Sequence, residues 1–149
     1  MKKRLLLFCS TVFLTGCAAQ PLDREVIATG DAPAAIGPYS QAIRVGNTLY
    51  LAGQTAIEPA TGNFVTGGIE EQTHQVLTNI QAVLKAAGFT IDDVVQSQVF
   101  LSDLNNYAAM NAVYAIHFQK SPPARASVQV TRLPKDALIE IMVTAVKAN

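Results

Sequence analysis

Two charges interrupt otherwise apolar alternation near the end of the chain, in the stretch PPARASVQVTRLPKDALIEI: Arg125 and Glu140. Successive side chains on a strand point to opposite sides, so Arg125, Ser127, Gln129 and Thr131 share one face and Val128 and Val130 the other. In the last strand Ile139, Ile141, Val143 and Ala145 form an apolar row opposite Glu140, Met142 and Thr144. Each strand then has one apolar face and one mixed face, with Arg125 and Glu140 both on the mixed side. Such a face either meets water or meets another subunit and leaves a polar cleft at the seam. Periodicity does not decide between the two.

Other chemistries find fewer parts. His74 and His117 fall on different expected helices and have no thiolate companions, so no metal site is expected. His74 reads as a solvated helix position and His117 as a neighbour of the apolar stripe. No GxGxxG, phosphate loop or nucleophile elbow occurs. Ser127 has no identifiable histidine partner, which leaves a serine hydrolase without its base.

The elements that must carry these residues follow from pattern and punctuation. A small edge strand is expected over 26–29, then a loop marked by Gly30, Pro33, Gly37 and Pro38. Strands over 41–45 and 48–54 flank Gly46 and Asn47, a two-residue hairpin connection. Apolar residues at helical spacing over 69–87 predict an amphipathic helix ended by Gly88. A strand over 94–101 and a second helix over 104–118 come next, the latter closed off by Pro122 and Pro123. Strands over 125–133 and 138–147 enclose a turn at PKD. The order is ββαβαββ with a small extra strand at the start, an α+β domain with two helices on one face of a mainly antiparallel sheet.

With 149 residues, half of them hydrophobic, the chain has material for one domain. Its start is set apart: Lys2, Lys3 and Arg4 precede an apolar run over 5–14 that is too short to span a bilayer permanently. The run ends in LTGC, which resembles a bacterial lipobox and implies a signal over 1–16, a lipidated Cys17 and a short tether over 17–23, ahead of a domain over 24–149. An ordinary signal peptide cut near CAA is the alternative. Lipid anchoring to the cell envelope is expected, at the outer membrane facing the periplasm because Ala18, not an aspartate, follows the cysteine. Processing would remove three of the 11 Lys and Arg against 11 Asp and Glu, leaving the mature chain near −3. With no cationic run remaining, a nucleic-acid partner is not expected. No disulfide is possible once Cys9 leaves with the signal and Cys17 carries lipid.

Four segments in order, APAAIGPYSQA, LAGQ, FLSDLNNYAAMNAVY and PARASVQVTRLPKDALIEI, together resemble the RidA/YjgF family of reactive-intermediate deaminases. The resemblance implies a chorismate-mutase-like fold, a homotrimer with a site in each subunit cleft, and cofactor-free hydrolysis of 2-imino or enamino acids to 2-keto acids and ammonia. It assigns Arg125 to the substrate carboxylate, a task suited to a two-pronged guanidinium. Glu140 becomes the group that positions water and shuttles the proton. Tyr39 becomes the loop tyrosine over the ligand, Gly53 a glycine against it, and Asn111 a site asparagine. Two departures stand out: Ser127 where many relatives have cysteine, and Ala52 where many have serine. The alternative is an envelope lipoprotein that keeps the pocket without turnover, as a small-carboxylate binder or a holdase.

Overall fold

A computed structural model describes residues 23–148. The proposed signal, the lipidated Cys17 and nearly all of the tether lie outside them. Eight regular elements follow in order: β1 (Arg24–Ile27), β2 (Ala42–Val45), β3 (Thr48–Leu51), α1 (Ile69–Ala86), β4 (Val94–Leu101), α2 (Tyr107–His117), β5 (Ala124–Gln129) and β6 (Ile139–Val146). They form one six-stranded sheet in the order β1-β2-β3-β6-β4-β5. Every pairing is antiparallel except β4 with β5. Parallel neighbours cannot be joined by a tight turn, and α2 supplies the crossover that this pair needs.

The local causes are visible in the sequence. Gly46 takes a φ of 59°, which lets the β2–β3 hairpin close in two residues. At the start of α1 the Glu71 carboxylate reaches back to accept from the Gly68 N–H at 2.8 Å. A hydrogen bond from its own backbone N–H, and then this one from Gly68, hold the Glu71 carboxyl below its usual range. The helix stops at Gly88, whose φ of 77° allows Phe89 N–H to donate back to the Leu84 carbonyl at 2.8 Å. Val76, Leu77, Ile80, Val83 and Leu84 are fully buried on one stripe of α1. Against them stand Leu49, Val99, Leu101, Ile139, Ile141 and Val143 of the sheet.

Register then fixes which side chains share a face. Val143, Ser97 and Arg125 are cross-strand neighbours, as are Ile141, Val99 and Ser127. These rows lie on the helix-covered side. On the open side Glu140 neighbours Phe100 and Val128, Met142 neighbours Gln98 and Ala126, and Thr144 neighbours Tyr50 and Gln96. This corrects the sequence expectation for β5: Arg125 and Ser127 lie on the side opposite Glu140, and Val128 is 45% exposed. Period two sorts a strand into two sets, but an edge strand with partial cover does not announce which set faces inward; the pairing of Arg125 with buried Ser97 does.

Several boundaries also shift. The first strand begins at Arg24 and ends at Ile27, earlier than expected. β5 ends at Gln129 and not at 133, because its neighbour β4 ends at the facing Leu101. The second helix opens with a tighter 3₁₀ turn, Leu104–Asn106, capped by Asp103 accepting from Asn105 N–H at 2.8 Å. The PKD turn is a 3₁₀ turn, Pro134–Asp136, with Lys135 and Asp136 at φ 54° and 58°.

Candidate active site

Glu140 projects from the open face of β6 into a pocket of about 340 Å³. Tyr39, Ile36, Ala52, Gly53, Ile57 and Pro134 are among its walls. Burial in this largely apolar setting pushes the Glu140 carboxyl above its usual range. Its placement depends on Gly53. Gln54 and Ile141 exchange backbone hydrogen bonds at 2.9 and 3.0 Å, which pins the Gly53 backbone beside β6. A Cβ on residue 53 would collide with Glu140 Oε1 and lie 2.8 Å from its Cδ. The glycine gives room to the carboxyl itself.

The other wall is a loop without regular structure, held by one side chain. Gln41 is buried, accepts from Thr29 N–H at 2.6 Å, and donates to the carbonyls of Thr29, Ala32 and Pro33 at 3.1, 3.2 and 2.8 Å. Tyr39 stands at the mouth, 50% exposed, with its hydroxyl accepting from Ile36 N–H at 3.3 Å. On the helical side, buried Asn79 of α1 donates to the carbonyls of Thr55 and Ile57 at 3.1 and 2.8 Å and fixes the segment after Gln54. Neither Gln41 nor Asn79 was singled out from the sequence, since nothing local signals what each holds.

Arg125 belongs to a different depression, on the helix side of the β5 edge, with Tyr107, Asn111, Tyr114, Pro123 and Ser127. Its guanidinium lies over the Tyr114 ring at 4.5 Å and near that of Tyr107 at 5.8 Å. One nitrogen, Nη2, donates to Asn111 Oδ1 at 2.7 Å and to the Tyr107 hydroxyl at 3.2 Å. Asn111, then Arg125, hold the Tyr107 hydroxyl below its usual range. Burial raises that of Tyr114, opposed by Ser97 and Arg125. Tyr107, Asn111 and Tyr114 stand at i, i+4 and i+7 of α2, one face that the helical spacing contained. Beneath them the hydroxyls of Ser97, Tyr114 and Ser127 are buried without a hydrogen-bond partner among the described residues.

The structure therefore brings Tyr39, Gly53 and Glu140 together, and separately Asn111, Arg125 and Ser127, on opposite sides of one sheet. The first group offers a carboxyl with raised proton affinity in an apolar pocket. The second offers a planar cation, steadied at one nitrogen, whose Nε and Nη1 donate to no other group among the described residues. No cluster of three or more metal-ligating side chains occurs among the described residues. Cys17 lies outside them.

Comparison with known proteins agrees with this architecture. The family described as Endoribonuclease L-PSP matches residues 29–147. A RutC family protein of Pyrococcus horikoshii is 56% identical over 124 residues, which cover 83% of this chain and 98% of the relative. A goat (Capra hircus) protein named 2-iminobutanoate/2-iminopropanoate deaminase is 50% identical over 126 residues, 85% of this chain and 92% of the relative. Among solved structures, the Escherichia coli YjgF gene product superposes with a TM-score of 0.80 at 42% identity, covering 83% of this chain and 99% of that one. Escherichia coli TdcF with bound serine gives 0.81 at 38% identity, covering 83% and 99%. Its two helices on a mixed, mainly antiparallel sheet are the fold of these proteins, and the chain belongs to the RidA/YjgF family, the one described as Endoribonuclease L-PSP.

Proposed function

We propose that this chain hydrolyses reactive 2-imino and enamino acids to 2-keto acids and ammonia, without a cofactor, at sites shared between the copies of a homotrimer. The observation that carries this is that Arg125 and Glu140 occupy opposite faces of the same sheet. Neither half suffices for the reaction. Face-to-face assembly in a ring would set Arg125, Asn111 and Ser127 of one copy against Tyr39, Gly53 and Glu140 of the next. Relatives about half identical carry the name of this deaminase, and a relative of the same fold holds serine, a small carboxylate-bearing molecule.

The chemistry is then divided between the halves. Arg125 grips the substrate carboxylate through its guanidinium, while Asn111 and the Tyr114 ring keep the guanidinium in plane. Glu140, desolvated and of raised proton affinity, takes a proton from water as its oxygen bonds to the imine carbon. The proton passes to the nitrogen to give a carbinolamine; Glu140 then carries the hydroxyl proton to that nitrogen, the carbon–nitrogen bond breaks, and ammonia leaves as the carbonyl forms. Tyr39 stands at the mouth to limit solvent.

Mixing two defective variants tests the shared site. Arg125→Ala and Glu140→Gln homotrimers should each be strongly impaired, the former at least about tenfold because a charge-assisted contact is lost. Unfolded and reassembled together in equal amounts, they should regain about a quarter of the wild-type sites, since a site built from two copies pairs an intact Arg125 with an intact Glu140 at that frequency. No recovery in verified mixed trimers would refute a site of this composition. A wild-type protein that binds 2-keto acids tightly without hydrolysing imines would make it a carboxylate-binding protein.

Attachment to the cell envelope through lipid on Cys17 belongs to the same proposal, supported by the basic start, the short apolar run and LTGC. Cys17→Ser should convert a membrane-fractionating protein into a soluble exported one.

A further inference from the structure

Where α1 meets α2, two imidazoles face one another. His74 of α1 and His117 of α2 place Nδ1 and Nε2 3.2 Å apart, with their rings tilted by 57°. Nothing in the sequence paired them, since 43 residues separate them. We propose that these two nitrogens are the protein ligands of a divalent transition-metal site that clamps α1 to α2.

The bite is the first support. Imidazole nitrogens bind such ions at about 2.0–2.1 Å, so two cis ligands stand about 2.9 to 3.4 Å apart for angles between square and tetrahedral. The observed 3.2 Å falls inside that interval without any movement of the helices. The second support is an outer partner. Gln81, two turns along α1 from His74, has its side-chain amide 3.3 Å from Nδ1 of His117, the ring nitrogen turned away from the pair. A ligating histidine ordinarily has such a partner, which fixes both its orientation and its tautomer. The third is access: His74 is exposed and His117 half-buried, so water can fill the remaining coordination positions.

In the metal-free chain one ring donates its N–H to the other. Metal takes the place of that shared hydrogen, and the proton moves to an outer nitrogen. It goes either to Nε2 of His74, in water, or to Nδ1 of His117, where the Gln81 amide oxygen accepts it once the amide turns over. No net proton is lost. Two imidazoles with water favour Cu²⁺ over Ni²⁺ and Zn²⁺.

The test uses untagged protein, titrated with Cu²⁺ at neutral pH and followed by calorimetry and by electron paramagnetic resonance. One ion per chain should bind with hyperfine structure from two nitrogens, and the ion should raise the melting temperature. His74→Gln, at an exposed position, should lower the affinity at least tenfold while leaving the metal-free melting temperature and the deaminase rate near wild type. His117→Gln should do the same to binding. Equal Cu²⁺ affinity in wild type and His74→Gln, or a spectrum without two nitrogen ligands, overturns the proposal.

Discussion

Replacing Gly53 by alanine tests whether Glu140 must keep its present position. Gly53 has no positive φ, so alanine meets no backbone strain, and the disturbance is confined to the contact with Glu140. A Cβ there would collide with Oε1 and stand 2.8 Å from Cδ and 3.0 Å from Cγ. Ordinary contact begins at 3.4 Å, so Cδ must retreat by about 0.6 Å and the carboxyl oxygen by more. Misplacing a reacting group by about 1 Å costs about a hundredfold in rate, and complete loss of a proton-transferring group costs about 10²–10⁴. We expect kcat for a 2-imino acid, generated in place by an amino-acid oxidase, to fall about a hundredfold. KM should change little, because the proposed assembly puts the carboxylate grip on the neighbouring copy. The effect should also vanish in a Glu140→Gln background, since both changes act on one group. A Gly53→Ala protein with wild-type kcat refutes the placement of Glu140 in the chemistry. A full additional loss in the Glu140→Gln background would show that residue 53 acts on the ligand directly.

Arg125→Lys keeps the charge but loses the planar fork, and should raise KM at least about tenfold, measured with the same coupled assay. Glu140 has its folded pKa raised above the unfolded value, so the folded chain holds an extra proton in that interval and loses stability as pH rises through it. Glu140→Gln should therefore melt higher than wild type at neutral pH, with the advantage shrinking toward pH 4, as followed by thermal denaturation. Asn79→Ala strips partners from the buried carbonyls of Thr55 and Ile57 and should cost about 1–3 kcal/mol in urea unfolding.

Most of the fold was legible because its parts report locally. The stripe on α1 has a whole face to bury, Gly88 ends it, and β4 was bounded correctly by its β-branched content. The side on which Arg125 lies was not legible, because that depends on the register of β5 against β4, a contact formed between residues nearly 30 apart in the chain. Arg125 and Glu140 could be identified as residue types in a motif, while their separation by the thickness of the sheet could not. Tyr107 and Tyr114 were readable as one helix face with Asn111. That this face receives a guanidinium required knowing where α2 lands. Gln41 and His117 show the same limit: each has its meaning from a partner that no periodicity connects to it.

The amide of Gln41 has a thermodynamic consequence of its own. A segment without regular secondary structure would ordinarily have to be ordered when a ligand arrives, and that ordering weakens binding. Here four hydrogen bonds to one side chain have already fixed residues 29–33 when the protein folds. The entropy of immobilising that wall is charged to folding stability, so any ligand of the Glu140 pocket would meet a shape that already exists.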